Sequence, residues 1–278
     1  MQNITSRITM KTMQFVDTHC HIQDSDFSHR FLKSAEIMIS EAAEVGVSSL
    51  ICIGTTLEDS QNAQKFCTDK PSCYATAALH PHEISRLGSK FALEQAKKLT
   101  KMVDENPNSF IAIGECGLDY FYHHDPSDRA AQAELLRIHL DIAQKHQKPL
   151  IFHVREAFDE FWPIFDEFKG LSGVIHSFSA TNKELNQILS RELYVGLNGI
   201  MTFTKDQKQL GAARAVPLNK LLLETDAPFL TPKPFRGKMC EPRHLMVTAE
   251  FLAKLRGESL SELAQATTKN AKKLFSLK

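Results

Sequence analysis

The sequence predicts an α/β fold, a (β/α)8 barrel of the TIM type folded as a single domain, on three observations. Eight short apolar runs alternate with segments of helical periodicity, which implies a parallel sheet with crossover helices. No glycine-rich phosphate fingerprint follows the first run, and an open doubly wound sheet would favour one there. The length, 278 residues, is that of many single-domain barrels.

A polar tail, residues 1–14, precedes the domain at 15–278. The first strand is expected from Phe15 to His21. Phe31 to Val45 carries Ala35, Met38, Ala42 and Val45 at helical spacing and stops at Gly46, which suits a helix end. Ser48 to Gly54 is the second strand, Leu57 to Cys67 a helix, and Cys73 to His80 the third strand. Lys90 to Glu105 is a helix closed by Asn106-Pro107. Phe110 to Glu115 is the fourth strand, followed by a loop from Cys116 to Asp128 and a helix over 129–146 that buries Leu135, Leu136, His139 and Ala143. Pro149 to His153, Gly173 to His176, Tyr194 to Ile200 and Leu221 to Asp226 complete the strands. Helices are expected over 158–168, from the Thr181/Glu184 capping box, over 208–215, up to Gly257, and from the Ser259/Glu262 capping box to Phe275.

At 42% hydrophobic and 24% charged residues, the composition is that of a folded globular chain and excludes disorder. Lysine plus arginine equals aspartate plus glutamate at 33 each, so a polyanion has to be held by a local patch. Six cysteines without Cys-x-x-Cys spacing read as free thiols in a reducing compartment. Met1 to Gln14 has no apolar core or cleavage signal, and no apolar run nears the roughly 20 residues of a membrane span. The expectation is a cytoplasmic monomer without membrane attachment.

Function is carried by Asp17-Thr18-His19-Cys20-His21. Residues two apart on a strand project to one side, so His19 and His21 converge, and imidazole is the commonest metal ligand. The other strand ends supply His80, Glu115, His153, His176 and Asp226, on the rim where barrel active sites lie. Any one of these alone can be a satisfied core group. Burying so many ionisable groups together without cations would cost several kcal/mol. Without His80, the remaining four histidines and two carboxylates suit two divalent ions: one on His19, His21, Glu115 and Asp226, the other on Glu115, His153 and His176. Their surplus positive charge favours an anionic substrate and a bridging hydroxide, hence phosphoester hydrolysis.

These motifs, with Leu-His-Pro-His at 79–82, Gly-Glu-Cys-Gly-Leu-Asp-Tyr at 114–120, His-Val-Arg-Glu-Ala at 153–157, His-Ser-Phe-Ser at 176–179, Thr-Phe at 202–203, Glu-Thr-Asp-Ala-Pro at 224–228 and Arg-Gly-Lys at 236–238, resemble the TatD family. These are metal-dependent deoxyribonucleases of the amidohydrolase superfamily. The resemblance runs from about Phe15 to Phe275 and implies a TIM barrel, a divalent metal centre and 3′-to-5′ exonuclease action on single-stranded DNA. It also implies that Asp226 takes the proton of the attacking water, with Glu115 bridging, and that His80 and Arg155 face the scissile phosphate. A hydrogen bond behind the ligands is the other reading for His80, and a structural salt bridge for Arg155.

Lys233, Arg236, Lys238 and Arg243 crowd the loop after the eighth strand against one acid, Glu241, which suits phosphate tracking more than a solvated face. Tyr120, Phe121, Tyr122, Phe203 and Phe235 suit base stacking or core packing equally. Met239-Cys240 departs from the usual Arg-Asn of the family, and Cys116 stands where an aliphatic residue is common, read here as packing. Histidine-rich donors suit Zn, Mn, Fe, Co or Ni better than Mg, so zinc or a transition metal is expected, with Mg supporting turnover. Two other functions fit less well: an amidohydrolase acting on a small cyclic amide or lactone, and a non-catalytic nucleic-acid or quality-control binding protein.

Overall fold

Eight strands lie in one sheet in chain order, β1 to β8, the order of a (β/α)8 barrel. The structure, a computed structural model, describes residues 13–24 and 33–278. The expected tail therefore falls almost wholly outside the described residues, as do the first two residues of the expected first helix. The chain groups into two compact units, residues 1–51 with 177–278, and residues 52–176.

The first unit holds β1 (Phe15–Cys20), α1 (Ala35–Glu44), nearly all of β2 (Val47–Cys52), β7 (Tyr194–Leu197) and β8 (Leu221–Leu223). Every residue of β1 is buried, as expected of a parallel strand covered on both faces. β7 and β8 pair in parallel, Val195 with Leu221 and Leu197 with Leu223. Beyond β8 the chain runs along the end of β1: His21 N donates to Ala227 O at 2.8 Å and Asp226 N to His19 O at 2.8 Å. Here too are α7 (Asn182–Ser190), α8 (Gln207–Ala215), α9 (Leu245–Arg256) and α10 (Leu260–Phe275). Both expected capping boxes form, Thr181 with Glu184 and Ser259 with Glu262. Asn270 on α10 donates to Leu218 O and Leu221 O at 2.9 and 2.8 Å, which fixes the entry to β8. β7 ends at Leu197, short of the expected Ile200, because the Asn198 side chain caps a 3-10 turn over Gly199–Thr202.

The second unit holds α2 (Leu57–Cys67), β3 (Cys73–Ala77), α3 (Glu83–Leu87), α4 (Ser89–Glu105), β4 (Ala112–Asp119), α5 (Pro126–His146), β5 (Leu150–Arg155), α6 (Phe158–Phe165) and β6 (Gly173–Ile175). Phe161 and Phe165 each pack edge to face against Phe152 of β5, with centroids 5.0 and 5.7 Å from its own. α5 starts three residues earlier than expected, because Asp125 accepts from Ser127 N at 2.8 Å and Pro126 takes the first position. His139 on its buried face is a structural residue: Nδ1 donates to Leu135 O at 2.8 Å and Nε2 accepts from Leu79 N at 3.0 Å.

The largest departure from expectation is β4. It continues to Asp119, so Cys116 to Asp119 belong to the strand and not to a loop. The register with β5 shifts between Gly114 and Cys116 and then resumes, Gly117 opposite His153 and Asp119 opposite Arg155. Such a bulge re-aims side chains near sites. Gly117 has φ +149°, and a Cβ there would collide with His153 O, so only glycine permits this pairing.

Candidate metal centre

In the first unit three of the predicted ligands come together. His19, on β1, is fully buried, and His21 follows the strand end by one residue. Their Nε2 atoms both approach one atom, Asp226 Oδ1, at 3.5 and 3.4 Å. A hydrogen bond would draw such pairs to about 2.7–3.2 Å. The wider spacing is the edge of a tetrahedral shell, about 3.4 Å for ligands about 2.1 Å from an ion. Spacing and donor chemistry thus fit a divalent metal.

Asp226 is aimed by its backbone. It has φ +59°, a left-handed conformation that aspartate tolerates better than most residues. Its N–H donates to His19 O, and its carbonyl accepts from Phe229 N at 2.7 Å. Asp17, fully buried one turn of the pleat before His19, locks the preceding residue: it accepts from Thr225 N at 2.9 Å and Thr225 Oγ1 at 2.6 Å. Burial pushes the Asp17 carboxyl up to about 7, against those hydrogen bonds. Glu224 accepts from Ser177 N at 2.7 Å and Asn198 Nδ2 at 3.2 Å. The only sequence signal for Asp17 and Glu224 is their position within the same motifs as His19 and Asp226.

The second unit gathers Glu115, His153 and His176, and adds His80. Glu115 Oε1 lies 2.9 Å from His153 Nδ1, 3.1 Å from His176 Nε2 and 3.5 Å from His80 Nε2. One ligand atom each from His80, Glu115 and His153 lie within 4.8 Å of one another, and so do those of His82, Asp119 and His153. A carboxylate oxygen facing three imidazoles is again a donor set suited to a cation.

Asp119 is the residue that sequence reading missed here. Glu115 and Asp119 lie two residues either side of Gly117, the partner of His153, and they take its two ring nitrogens: Glu115 Oε1 at Nδ1, Asp119 Oδ2 at Nε2, 2.8 Å away. The same Asp119 oxygen lies 2.9 Å from His82 Nε2. Burial opposes charge on His153, but the two carboxylates outweigh it and hold its pKa above the ordinary value. Burial likewise opposes ionisation of Asp119, and the two histidines hold its carboxyl well below the usual range. His80 goes the other way, pulled down to about 4 by burial that Glu115 only partly offsets. The ordinary role of such a carboxylate is to fix the ring of a ligand histidine.

The expected substrate contacts separate. His80 sits among the ligands, while its Nδ1 accepts from His82 N at 3.2 Å. Arg155 forms no salt bridge among the described residues; its guanidinium lies 3.8 Å over the Phe121 ring. Arg236 lies 4.0 Å over Phe203 and donates to Thr231 O at 3.1 Å. Lys233 and Lys238 are exposed, whereas Arg243 pairs with Glu241 at 3.0 Å and with Glu41 at 3.5 Å. Cys116 is buried, with its thiol pushed up by burial and set 3.8 Å from Ile151 O, which fits packing. Cys240 is likewise buried, its thiol raised by burial and 3.9 Å from Thr225 O. None of the six cysteines, all of which lie among the described residues, forms a disulfide.

The sequence profile of TatD related DNase matches residues 16–276. The chain is 31% identical over 265 residues to an uncharacterized metal-dependent hydrolase, YcfH, of Escherichia coli K12, covering 95% of this chain and 96% of that one. It is 34% identical over 262 residues to the 3′-5′ ssDNA/RNA exonuclease TatD of Citrobacter rodentium, covering 90% and 95%. The crystal structure of YJJV, a TatD homolog from Escherichia coli K12, superposes with a TM-score of 0.84 at 28% identity, covering 95% of this chain and 98% of that one. Among the described residues no helix is long and apolar enough to cross a membrane.

Proposed function

Because the chain belongs to the TatD related DNase family, and is thereby a metal-dependent hydrolase of ester bonds, we propose that it shortens single-stranded DNA from the 3′ end. The observation that carries the chemistry is the convergence of His19 and His21 on one Asp226 oxygen at 3.5 and 3.4 Å. His19, His21 and Asp226 would hold one divalent ion, and Glu115, His153 and His176 a second; Glu115 serving both is the reading of the sequence. Bound divalent ions supply Lewis-acid polarisation of a phosphoryl oxygen and lower the pKa of water.

The chain's own groups do the rest. Asp226 accepts the proton of the attacking water, held in place by its backbone bond to His19. His80, kept neutral near pH 7 by its lowered pKa, meets the phosphate as a hydrogen-bond donor without bringing a charge. Exposed Lys238 and Arg236 draw the strand in by charge. Imidazole-rich donors favour zinc, manganese or another transition metal over magnesium.

Hydrolysis of an end-labelled single-stranded oligonucleotide with Mg or Mn tests the reading, comparing wild type with Glu115→Ala and Asp226→Ala. Stepwise shortening from the 3′ end, lowered in each variant by about 10²-fold or more, is expected. Intact DNA with a metal-loaded wild type overturns it and moves the activity to another ester or amide. Metal analysis of protein purified without added metal or chelator checks metal identity, and near-stoichiometric Mg alone is the contrary result.

A further inference from the structure

The five aromatic residues offered for stacking are not equivalent in the structure. Tyr120 is 6% exposed beneath the Arg129 guanidinium, 4.3 Å away. Phe203 is covered by Arg236, and Phe235 stacks on His244 with centroids 4.7 Å apart. Phe121 and Tyr122, by contrast, are 39% and 61% exposed, side by side, with ring centroids 4.6 Å apart and planes at 90°. Two large rings left adjacent in water lose hydrophobic stabilisation that packing would have secured, and such surfaces mark binding sites.

Their position is fixed with care. Asp119 Oδ1 accepts from Phe121 N at 3.0 Å and Tyr122 N at 3.4 Å. The other oxygen of that carboxylate meets the rings of His153 and His82. One side chain thus sets the exposed rings and a proposed metal ligand in fixed relation. Arg155 completes the group, its guanidinium 3.8 Å from the Phe121 centroid and 5.0 Å from that of Tyr122. His82 closes the near side, edge-on to Tyr122 at 5.8 Å.

We propose that Phe121, Tyr122 and Arg155 form a nucleoside subsite that takes one unpaired nucleobase of a single-stranded chain, an inference that rests on the nuclease reading and names how its substrate is chosen. The base stacks on the exposed rings, and Arg155, planar and stacked, turns its outer N–H groups to a neighbouring phosphate oxygen. Every base has a π face, so the subsite is tolerant of sequence. A base inside a duplex has both faces covered, so the subsite selects single strands. The short link from Asp119 to the His153 ring puts the stacked nucleotide beside the reacting phosphodiester.

The test is calorimetric titration of the Mn-loaded protein with 2′-deoxyadenosine 5′-monophosphate and with 1,2-dideoxyribose 5-phosphate, the same sugar phosphate with hydrogen in place of the base. Wild type should bind the nucleotide about tenfold or more tightly than the sugar phosphate. In the Phe121→Ala/Tyr122→Ala double variant that ratio should fall to within about twofold, while Tyr122→Phe, which keeps the ring, should retain it. Arg155→Ala should weaken both ligands alike. Any shift in metal loading or folding acts on both ligands and cancels in the ratio, so a collapse of the ratio reports stacking. A wild-type ratio near one, or a double variant that keeps the tenfold ratio, overturns the proposal. The nuclease reading fails separately: DNA left intact beside a base-dependent ratio removes it and leaves the subsite, whereas DNA shortened beside a ratio near one removes the subsite alone.

Discussion

The ligand set of the first unit and that of the second are built on different principles. In the first, two imidazoles approach one carboxylate oxygen at 3.4–3.5 Å, and precision comes mainly from the backbone: a left-handed Asp226, its N–H on His19 O, and Thr225 N held by Asp17. In the second, carboxylates and imidazoles alternate along a chain, Glu115, His153, Asp119, His82, with contacts of 2.8–2.9 Å. There precision comes from side chains. The backbone contributes mainly the Gly117 pairing that lets His153 lie between its two acids. A set aimed by backbone tolerates change in the surrounding polar groups, whereas a set aimed by a hydrogen-bonded chain fails when one link is removed.

Asp119→Asn against Asp17→Asn is the sharpest way to break that contrast. In the first variant the amide offers one oxygen and no charge to two imidazoles, so metal affinity should fall about 10- to 100-fold. In the second the amide oxygen still accepts from Thr225 N and touches no ligand ring, so the loss should be a few-fold at most. Competition against a chromogenic chelator reads both. Equal losses would mean that the two sets are supported in the same way and that the contrast is wrong.

Acid offers a second contrast, because the second unit also buries a neutral histidine. Burial pulls His139 down to about 4, despite its hydrogen bond to Leu135 O. The folded state therefore resists a proton that the unfolded chain accepts near pH 6.5. Stability from this group is present above that pH and is lost as pH falls toward 4. The loss by pH 5 is about 2 kcal/mol. His139→Gln keeps an acceptor for Leu79 N and has no such titration. Urea unfolding at pH 7 and pH 5 should show the gap between wild type and variant shrinking on acidification by about that amount. A gap independent of pH would show that His139 charges in the folded protein.

What could be read in advance follows the same division. Helix starts at Thr181 and Ser259 are written in residues three apart, and the chemistry of His19, His21, Glu115, His153, His176 and Asp226 is visible in residue type and placement after apolar runs. Asp119 is hidden because the apolar run that marks the strand stops before Glu115, whereas the strand itself runs on to Asp119. Strand alternation would place Glu115 and Asp119 on one side, but the register shift and the Gly117 pairing that extend β4 depend on β5, some 36 residues on in sequence. The αL conformation of Asp226 and the clamp from Asp17 were equally hidden, since both arise where β1 meets the chain after β8, about 208 residues apart. Local patterns show in sequence; long-range register does not.

The smallest expected effect separates the cations of the loop after β8. Lys238 is exposed, and among the described residues only its backbone is tied down, through Phe235 O and Thr231 Oγ1. Arg243 instead shares Glu241 and Glu41 with Lys33, which contacts the same two acids at 2.7 and 2.6 Å. A cation already matched by carboxylates releases few counterions when a phosphate arrives. Lys238→Ala should therefore flatten the salt dependence of single-stranded DNA binding by about 0.7 in log–log slope, and Arg243→Ala by clearly less. Fluorescence anisotropy of a labelled oligonucleotide over a salt series reads the slopes. Equal changes for the two variants would show that the Glu241 network opens when DNA binds, so that the loop's full charge, and not only its exposed lysines, follows the strand.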